Sequence, residues 1–101
     1  MSQRRIYTLD EARALVPQVR AVLLQLAVQQ RRTDDGAADD VRALLAHLAS
    51  LGVELRDLDM GLVDFPGQRG GRPIWLCWRL ADPELAFWHG TDEGYTSRRP
   101  C

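Results

Sequence analysis

Three side chains that can take part in chemistry lie among apolar residues in the second half of the chain. Asp64 and Cys77 each stand between two apolar neighbours, and His89 follows a tryptophan. A carboxylate in an apolar strand must find a hydrogen-bond donor or change its protonation, so Asp64 is a candidate acid, base or ligand. Aspartate, cysteine and histidine also bind metals. Asp57 and Glu93 lie near these residues in sequence and complete the candidate ligand set.

Each candidate also has a structural alternative. Cys77 is equally a buried small hydrophobic residue, and His89 a hydrogen-bonded packing residue at a strand end. The spacing matches no established ligand motif, so no catalytic residue is assigned. Asp64 could instead pair with one of three arginines: Arg69, Arg72 and Arg79. The glycine-rich loop over 67–72 lacks the Lys-Ser/Thr step of a phosphate loop, and no cofactor-binding residue is assigned.

Two helices are predicted for the first half of the chain. The sequence Thr8-Leu9-Asp10-Glu11 is a capping box, and apolar residues then recur at three- and four-residue steps to about Arg31. Pro17 should kink this helix or split off a first segment that ends near Ala14. The break over 33–36 offers N-cap residues for a second helix, which Gly52 ends. Residues 8–51 therefore form an antiparallel helical hairpin.

Short strands are predicted after Gly52, where the apolar period changes to two. Residues 53–57 alternate, a short segment over 62–65 is ended by Pro66, and the runs 74–80 and 85–89 form a hairpin. The fold is α+β in one domain: the helical hairpin, a three- to four-stranded antiparallel sheet over 52–90, and a tail over 91–101. The tail either crosses back over the sheet or frays.

The hairpin connection decides which candidates share a face. With an even connection over 81–84, Trp78 faces Phe87 and Leu76 faces His89, on the side of the helices. Cys77 then lies on the opposite face, which argues against a shared site with His89. One extra residue in the turn would reverse this and bring the two together. The even connection also gives the opposite face three residues of a predicted partner surface: Trp75, Arg79 and Trp88.

Charge and length exclude several classes of protein. The chain has 101 residues, 13 arginines, no lysine and 14 acidic residues. Neither half has the basic excess of a nucleic-acid-binding protein. No apolar run could span a membrane or serve as a signal peptide, so a cytoplasmic location is predicted. Two cysteines exclude a disulfide framework, and a domain of this size would benefit from self-association.

Several motifs resemble a family of small bacterial proteins known only as a domain of unknown function. They are Gly61-Leu62-Val63-Asp64-Phe65-Pro66, Leu76-Cys77-Trp78 and Trp88-His89, with Gly94-Tyr95 and Arg98 beyond. Similar segments lie over 52–57 and 7–12 and at the Pro17 step. Ala81-Asp82 stands where that family tends to have Gly-Glu, and the helical hairpin is short. The resemblance implies no activity.

The sequence leaves two hypotheses about function. The first is a non-enzymatic interaction module, a homodimer or the partner of another protein. The second is a metal- or small-ligand-binding protein, either catalytic or not, whose site is built from His89, Asp64 and Asp57, with Glu93 and Cys77 as outer candidates. No cofactor is implied, although the residue types suit a divalent metal.

Overall fold

The computed structural model describes residues 5–101. Two helices precede a five-stranded antiparallel sheet, which confirms the α+β fold. The strands follow one another in chain order across the sheet, and the fifth strand belongs to the tail. The elements are α1 (Leu9–Gln29), α2 (Ala37–Ser50), β1 (Glu54–Asp57), β2 (Leu62–Arg69), β3 (Arg72–Trp78), β4 (Phe87–Gly90), a 3₁₀ turn (Tyr95–Ser97) and β5 (Arg99–Pro100).

Helix α1 begins at the predicted capping box. The Thr8 hydroxyl accepts the backbone N–H of Glu11 at 3.1 Å, and the Glu11 carboxylate accepts that of Thr8 at 2.8 Å. The helix continues through Pro17, so the prediction of a separate first segment is wrong. Proline removes one hydrogen bond here, while burial of Val16 and Val19 on either side favours the continuous helix.

Helix α2 starts after Gly36, the last residue of the predicted break. Gly36 provides no side-chain cap. Instead, Arg32 bridges the break: it pairs with Asp34, and its Nη1 lies 2.6 Å from the carboxylate of Asp40. Leu48 is the large residue that α2 buries in the core.

The core lies between the helices and one face of the sheet. Phe65 and Trp78 of the central strands are fully buried in it. Tyr7 packs edge-on against Phe65 with ring centroids 6.0 Å apart, and its hydroxyl donates to the Leu51 carbonyl at 2.5 Å. The segment before α1 is thereby attached to both layers.

Strand β2 is longer than predicted, because it passes through Pro66 and ends at Arg69. Pairing with β1 stops at Asp64, and beyond it the Pro66 carbonyl accepts the backbone N–H of Tyr7 at 2.7 Å. A proline is tolerated at this position since the missing N–H is not needed for a continuous ladder on that side. A two-residue turn, Gly70-Gly71, then leads into β3, with φ values of 58° and 78°. Positive φ at both positions is the geometry of a tight hairpin turn.

The register between β3 and β4 differs by one residue from the even-turn prediction. Cys77 lies opposite Phe87 and Trp75 opposite His89, so these four residues share one face. The predictions that Phe87 and His89 lie on the helix side are therefore wrong. The alternative with one extra residue in the turn is confirmed, because nine residues, 78–86, separate the pair Cys77 and Phe87.

The two tryptophans of the predicted partner surface consequently lie on opposite faces. Trp88 is opposite Leu76 and packs against the core beneath the helices. Trp75 lies on the other face, opposite His89. The prediction of a shared tryptophan face is wrong, since a shift of one residue moves every side chain of a strand to the other face.

A buried aspartate holds this hairpin. Asp82 is 7% exposed and accepts the backbone N–H of Arg79 at 3.1 Å and the Arg79 Nε at 3.3 Å. The guanidinium of Arg98 adds two hydrogen bonds to the same carboxylate, at 2.7 and 3.1 Å. Leu85, on the other side of the turn, is fully buried. The turn is therefore fixed by contacts with the tail as well as by its own sequence.

The tail returns to the sheet and adds β5 at its edge, beside β4, so the prediction that it frays is wrong. β5 pairs with β4. The guanidinium carbon of Arg98 lies 4.1 Å from the centre of the Phe87 ring. Within residues 5–101, no helix is long and apolar enough to cross a bilayer.

Candidate metal site

Asp64, Cys77 and His89 come together on the sheet face away from the helices. They lie on three adjacent strands: Asp64 is directly opposite Cys77, and His89 is one pleat further along β4. One ligand atom from each residue lies within 4.8 Å of the other two. The residues are 2%, 0% and 3% exposed, respectively. The three residues selected from the sequence thus form one buried cluster.

The imidazole of His89 is oriented by the backbone. Its Nδ1 lies 2.9 Å from the carbonyl oxygen of Gly90, which can only accept, so Nδ1 carries a proton and donates. In a neutral ring Nε2 then holds the lone pair, and it lies 3.0 Å from both carboxylate oxygens of Asp64. A lone pair facing a carboxylate requires a cation between them, either a proton or a metal ion.

Arg56 supports the Asp64 carboxylate from the edge strand. β1 bulges between Leu55 and Asp57, so that Arg56 is an extra residue in its ladder with β2. Its Nε donates to Asp64 Oδ2 at 3.0 Å, and its guanidinium lies 4.8 Å from the centre of the Trp75 ring. Bulges commonly redirect a side chain in this way. The predicted alternative for Asp64 was an ion pair with Arg69, Arg72 or Arg79; the observed arginine partner is Arg56 instead.

Cys77 is protonated in this environment. Burial, and to a lesser extent the nearby Asp64 carboxylate, raise the pKa of its thiol to about 12, while Arg98 acts in the opposite direction. A thiol with this pKa is a poor nucleophile near neutral pH. It becomes a thiolate when a metal ion replaces its proton.

A cavity of about 340 Å³ opens beside the cluster. Asp64 and His89 form part of its wall, whereas Cys77 is fully buried and is not part of the lining. The tail closes one side of it, with a contribution from Tyr95 in the 3₁₀ turn. The lining residues are Arg56, Leu62, Asp64, Trp75, His89, Thr91, Glu93, Gly94 and Tyr95.

The two other predicted ligands have different positions. Glu93 lines the cavity, but its carboxylate accepts the Gly90 N–H at 2.8 Å and pairs with Arg99 at 2.9 Å. These contacts hold the pKa of Glu93 below its ordinary value. Asp57 is exposed outside the cavity, where it accepts the backbone N–H of Met60 at 3.1 Å. The structure thus brings Glu93 near the cluster and leaves Asp57 out of it.

Three residues that hold the site or its hairpin were not predicted to be site residues: Arg56, Asp82 and Arg98. The alternation over 53–57 placed Arg56 on a strand, but the bulge that directs it towards Asp64 has no local signal. Asp82 lies in the predicted connection over 81–84, and its buried carboxylate is paired with Arg98, 16 residues later. An arginine late in a polar tail gives no indication of such a contact.

The predicted partner surface consists of three residues that each contact different parts of the protein: Trp75, Arg79 and Trp88. Trp75 is 8% exposed in the cavity wall, and Arg79 pairs with Asp82. The ring of Trp88 is flanked by Arg69 and Arg99, with guanidinium carbons 4.7 and 5.0 Å from its centre.

Comparison with known proteins gives a family match. Residues 26–101 match the family model described as "Uncharacterized conserved protein (DUF2203)". The match covers more than half of the chain and includes β1–β5 with the Asp64, Cys77 and His89 cluster. It confirms the resemblance to a family of uncharacterised proteins for this part of the sequence. Neither the curated proteins nor the solved structures contain a match.

Proposed function

Since the chain belongs to the DUF2203 family, whose description names no activity, we propose its function from the site itself: it binds one divalent transition metal ion, preferably zinc. The ligands are the Asp64 carboxylate, the Cys77 thiolate and His89 Nε2. The observation that carries the proposal is the hydrogen bond from His89 Nδ1 to the Gly90 carbonyl. It directs the Nε2 lone pair towards the other two ligands, and metal-bound histidines are oriented by the same kind of backbone contact.

The distances suit a small tetrahedral ion. Zinc bonds of about 2.0–2.2 Å to nitrogen and oxygen and about 2.3 Å to sulfur imply ligand atoms about 3.3–3.6 Å apart. The ligand atoms of the cluster lie within 4.8 Å of one another, and the nitrogen–oxygen pairs are at 3.0 Å. Small side-chain movements are enough to bring Cys77 into range. A thiolate with an imidazole favours zinc over magnesium or calcium, which prefer oxygen ligands.

Three protein ligands leave a fourth position open, as in catalytic zinc sites rather than closed structural ones. Asp64 and His89 line the cavity, whereas Cys77 is fully buried, which supports a fourth position directed into the cavity. Water or a small ligand would fill it. The protein is therefore a metal-dependent ligand-binding protein, and a bound water there could act as a nucleophile.

Metal analysis of untagged protein tests this proposal. We expect one zinc per chain, by elemental analysis after purification or after dialysis against zinc, and a higher melting temperature with zinc than with a chelator. His89→Gln, Cys77→Ser and Asp64→Asn should each weaken zinc binding by at least about tenfold.

The chain supplies matched controls, because it has one further histidine and one further cysteine, both exposed. His47→Gln and Cys101→Ser should bind zinc like the wild type. Absence of stoichiometric zinc, or equal losses in the control variants, would overturn the proposal. In that case a proton holds Asp64 and His89 together as a buried ion pair.

A second candidate function is self-association through the helices. Leu24 and Val28 lie four residues apart on one face of α1 and are 51% and 60% exposed. Exposed apolar pairs of this kind favour a contact with a second copy of the chain. Light scattering should then give a dimer for the wild type and a monomer for Leu24→Glu/Val28→Glu. A monomeric wild type at micromolar concentration would exclude this candidate.

The setting we propose is the bacterial cytoplasm. Support comes from the likeness of the Gly61–Pro66, Leu76–Trp78 and Trp88–His89 motifs to small bacterial proteins and from two free cysteines. A reducing compartment would keep Cys77 available as a ligand.

A further inference from the structure

We propose that the cavity beside the cluster binds a small oxyanion, a carboxylate or a phosphoryl group, with one oxygen on the metal ion and the others on Arg56. This inference rests on the proposed metal site. It adds to it the chemical class of the ligand and the residue that selects it.

The charges around the cavity favour an anion. A divalent ion bound by a carboxylate and a thiolate is formally neutral, and His89 adds no charge as a ligand. Arg56 then contributes a positive charge to the cavity. The carboxylate of Glu93 is already paired with Arg99 and with the Gly90 N–H. The cavity with its metal therefore carries a net positive charge next to the open coordination position.

Arg56 is positioned to bind that anion in a fixed orientation. Its Nε donates to Asp64, and its guanidinium carbon lies 4.8 Å from the centre of the Trp75 ring, so contacts on two sides hold the group in place. Its side chain is 42% exposed. The hydrogen bond that the described structure gives Arg56 uses Nε, so the N–H groups of Nη1 and Nη2 remain to donate. Guanidinium groups with this freedom bind carboxylates and phosphates through two parallel hydrogen bonds.

The cavity sets the size of the ligand. A volume of about 340 Å³ is at the lower end for small-molecule sites, so the ligand has only a few non-hydrogen atoms beyond its anionic group. Leu62 and Trp75 provide apolar wall on one side, and Thr91 and Tyr95 provide hydroxyl groups. A short organic acid or a small phosphate ester matches this lining better than a nucleotide.

Cobalt-substituted protein allows the metal and the anion to be measured separately. The thiolate-to-cobalt charge-transfer band reports the bond to Cys77, and the visible ligand-field bands report the fourth position. Acetate and methylphosphonate should each change the visible bands saturably, and the tighter of the two identifies a carboxylate or a phosphoryl ligand. Acetamide has the shape of acetate without its charge and should bind at least about tenfold more weakly. Equal responses to acetate and acetamide would overturn the inference.

Variants then test Arg56. Arg56→Gln should weaken oxyanion binding by about tenfold or more, and Arg56→Lys by less, since lysine keeps the charge without the paired donors. Arg42→Gln, on an exposed helical arginine outside the cavity lining, is the matched control and should bind like the wild type. If Arg56→Gln loses cobalt because Asp64 is no longer held, the comparison of acetate with acetamide on wild-type protein still tests whether the cavity selects an anion.

The failures of the two proposals are distinguishable. No charge-transfer band in the wild type, or a band that survives in Cys77→Ser, refutes the metal site. A normal band with visible bands that do not respond to either oxyanion refutes the anion inference alone.

Discussion

Removal of the Asp82 carboxylate tests how the hairpin between β3 and β4 is held. The group is 7% exposed and accepts four hydrogen bonds, two from Arg79 and two from Arg98. Breaking a buried ion pair costs about 3–5 kcal/mol, whereas an exposed pair contributes about 0–1 kcal/mol. Arg79 is one-third exposed, and Arg98 keeps its stacking on Phe87 when the carboxylate is lost. We therefore expect Asp82→Ala to lower the free energy of unfolding by about 3 kcal/mol.

Urea denaturation followed by circular dichroism at pH 7 measures this loss. Asp82→Asn keeps the size of the side chain and an oxygen for the Arg79 N–H, so its loss should be intermediate. Asp59→Ala removes an exposed carboxylate and should change stability by less than about 0.5 kcal/mol. If Asp82→Ala lowers the free energy of unfolding by less than about 1 kcal/mol, the reasoning is refuted, because so small a loss is typical of a solvent-exposed ion pair.

Three further predictions follow from the same structure. Burial raises the pKa of Asp82, but its contacts with Arg98 and Arg79 lower it more, so the net pKa lies below the ordinary one. The unfolded chain therefore binds this proton at a higher pH than the folded protein does. The difference in the free energy of unfolding between wild type and Asp82→Ala should shrink as the pH falls below about 4. Gly61→Ala should lower the free energy of unfolding by about 2 kcal/mol in the same urea assay. The φ of Gly61 is +62°, and an added Cβ would lie 2.4 Å from the Leu80 side chain. A loss below about 0.5 kcal/mol would contradict this. In metal-free protein at pH 8 a thiol reagent should label Cys101 and leave Cys77 unmodified until denaturant is added, since burial and the nearby Asp64 raise the Cys77 pKa to about 12. Labelling of Cys77 in the native protein, or no labelling of Cys77 in Cys101→Ser after denaturation, would contradict this prediction.

The helices could be predicted from the sequence because their signals are local. The capping box at Thr8 and Glu11 lies within four residues, and the apolar stripe of α1 is read at fixed steps along the same helix. The effect of Pro17 was harder to judge. Propensity favours a break there, while burial of the stripe on both sides of it, which is a tertiary effect, favours continuity.

The register of the hairpin could not be predicted from its own residues. An even and an odd connection differ by one residue, and the run 74–80 suits either. In the structure the observed connection is held by Asp82, whose carboxylate accepts from Arg98 of the tail, 16 residues away. Sequence periodicity carries no information on a contact of that range.

The candidate site was predicted in its residue types but not in its geometry. A polar residue between apolar neighbours identified Asp64 and Cys77, since such positions are expensive to bury without a partner. The position of Arg56 depended on a bulge, and that of Asp57 on a turn that uses its carboxylate for the Met60 N–H. Both details are set by backbone geometry that alternation alone does not specify.

The cluster of Asp64, Cys77 and His89 forms only in the observed register of β3 and β4. Side chains alternate between the two faces of a strand, so a slip of one residue between β3 and β4 would move His89 to the helix side and separate it from Cys77. Asp82, which holds the connection through its ion pair with Arg98, is not one of the three cluster residues. Zinc affinity should therefore fall in Asp82→Ala even though all three ligands are present, and saturating zinc should restore part of the lost stability, because the metal binds the native register. Unchanged zinc affinity in a variant that has lost about 3 kcal/mol of stability would show that the ligands themselves fix the register.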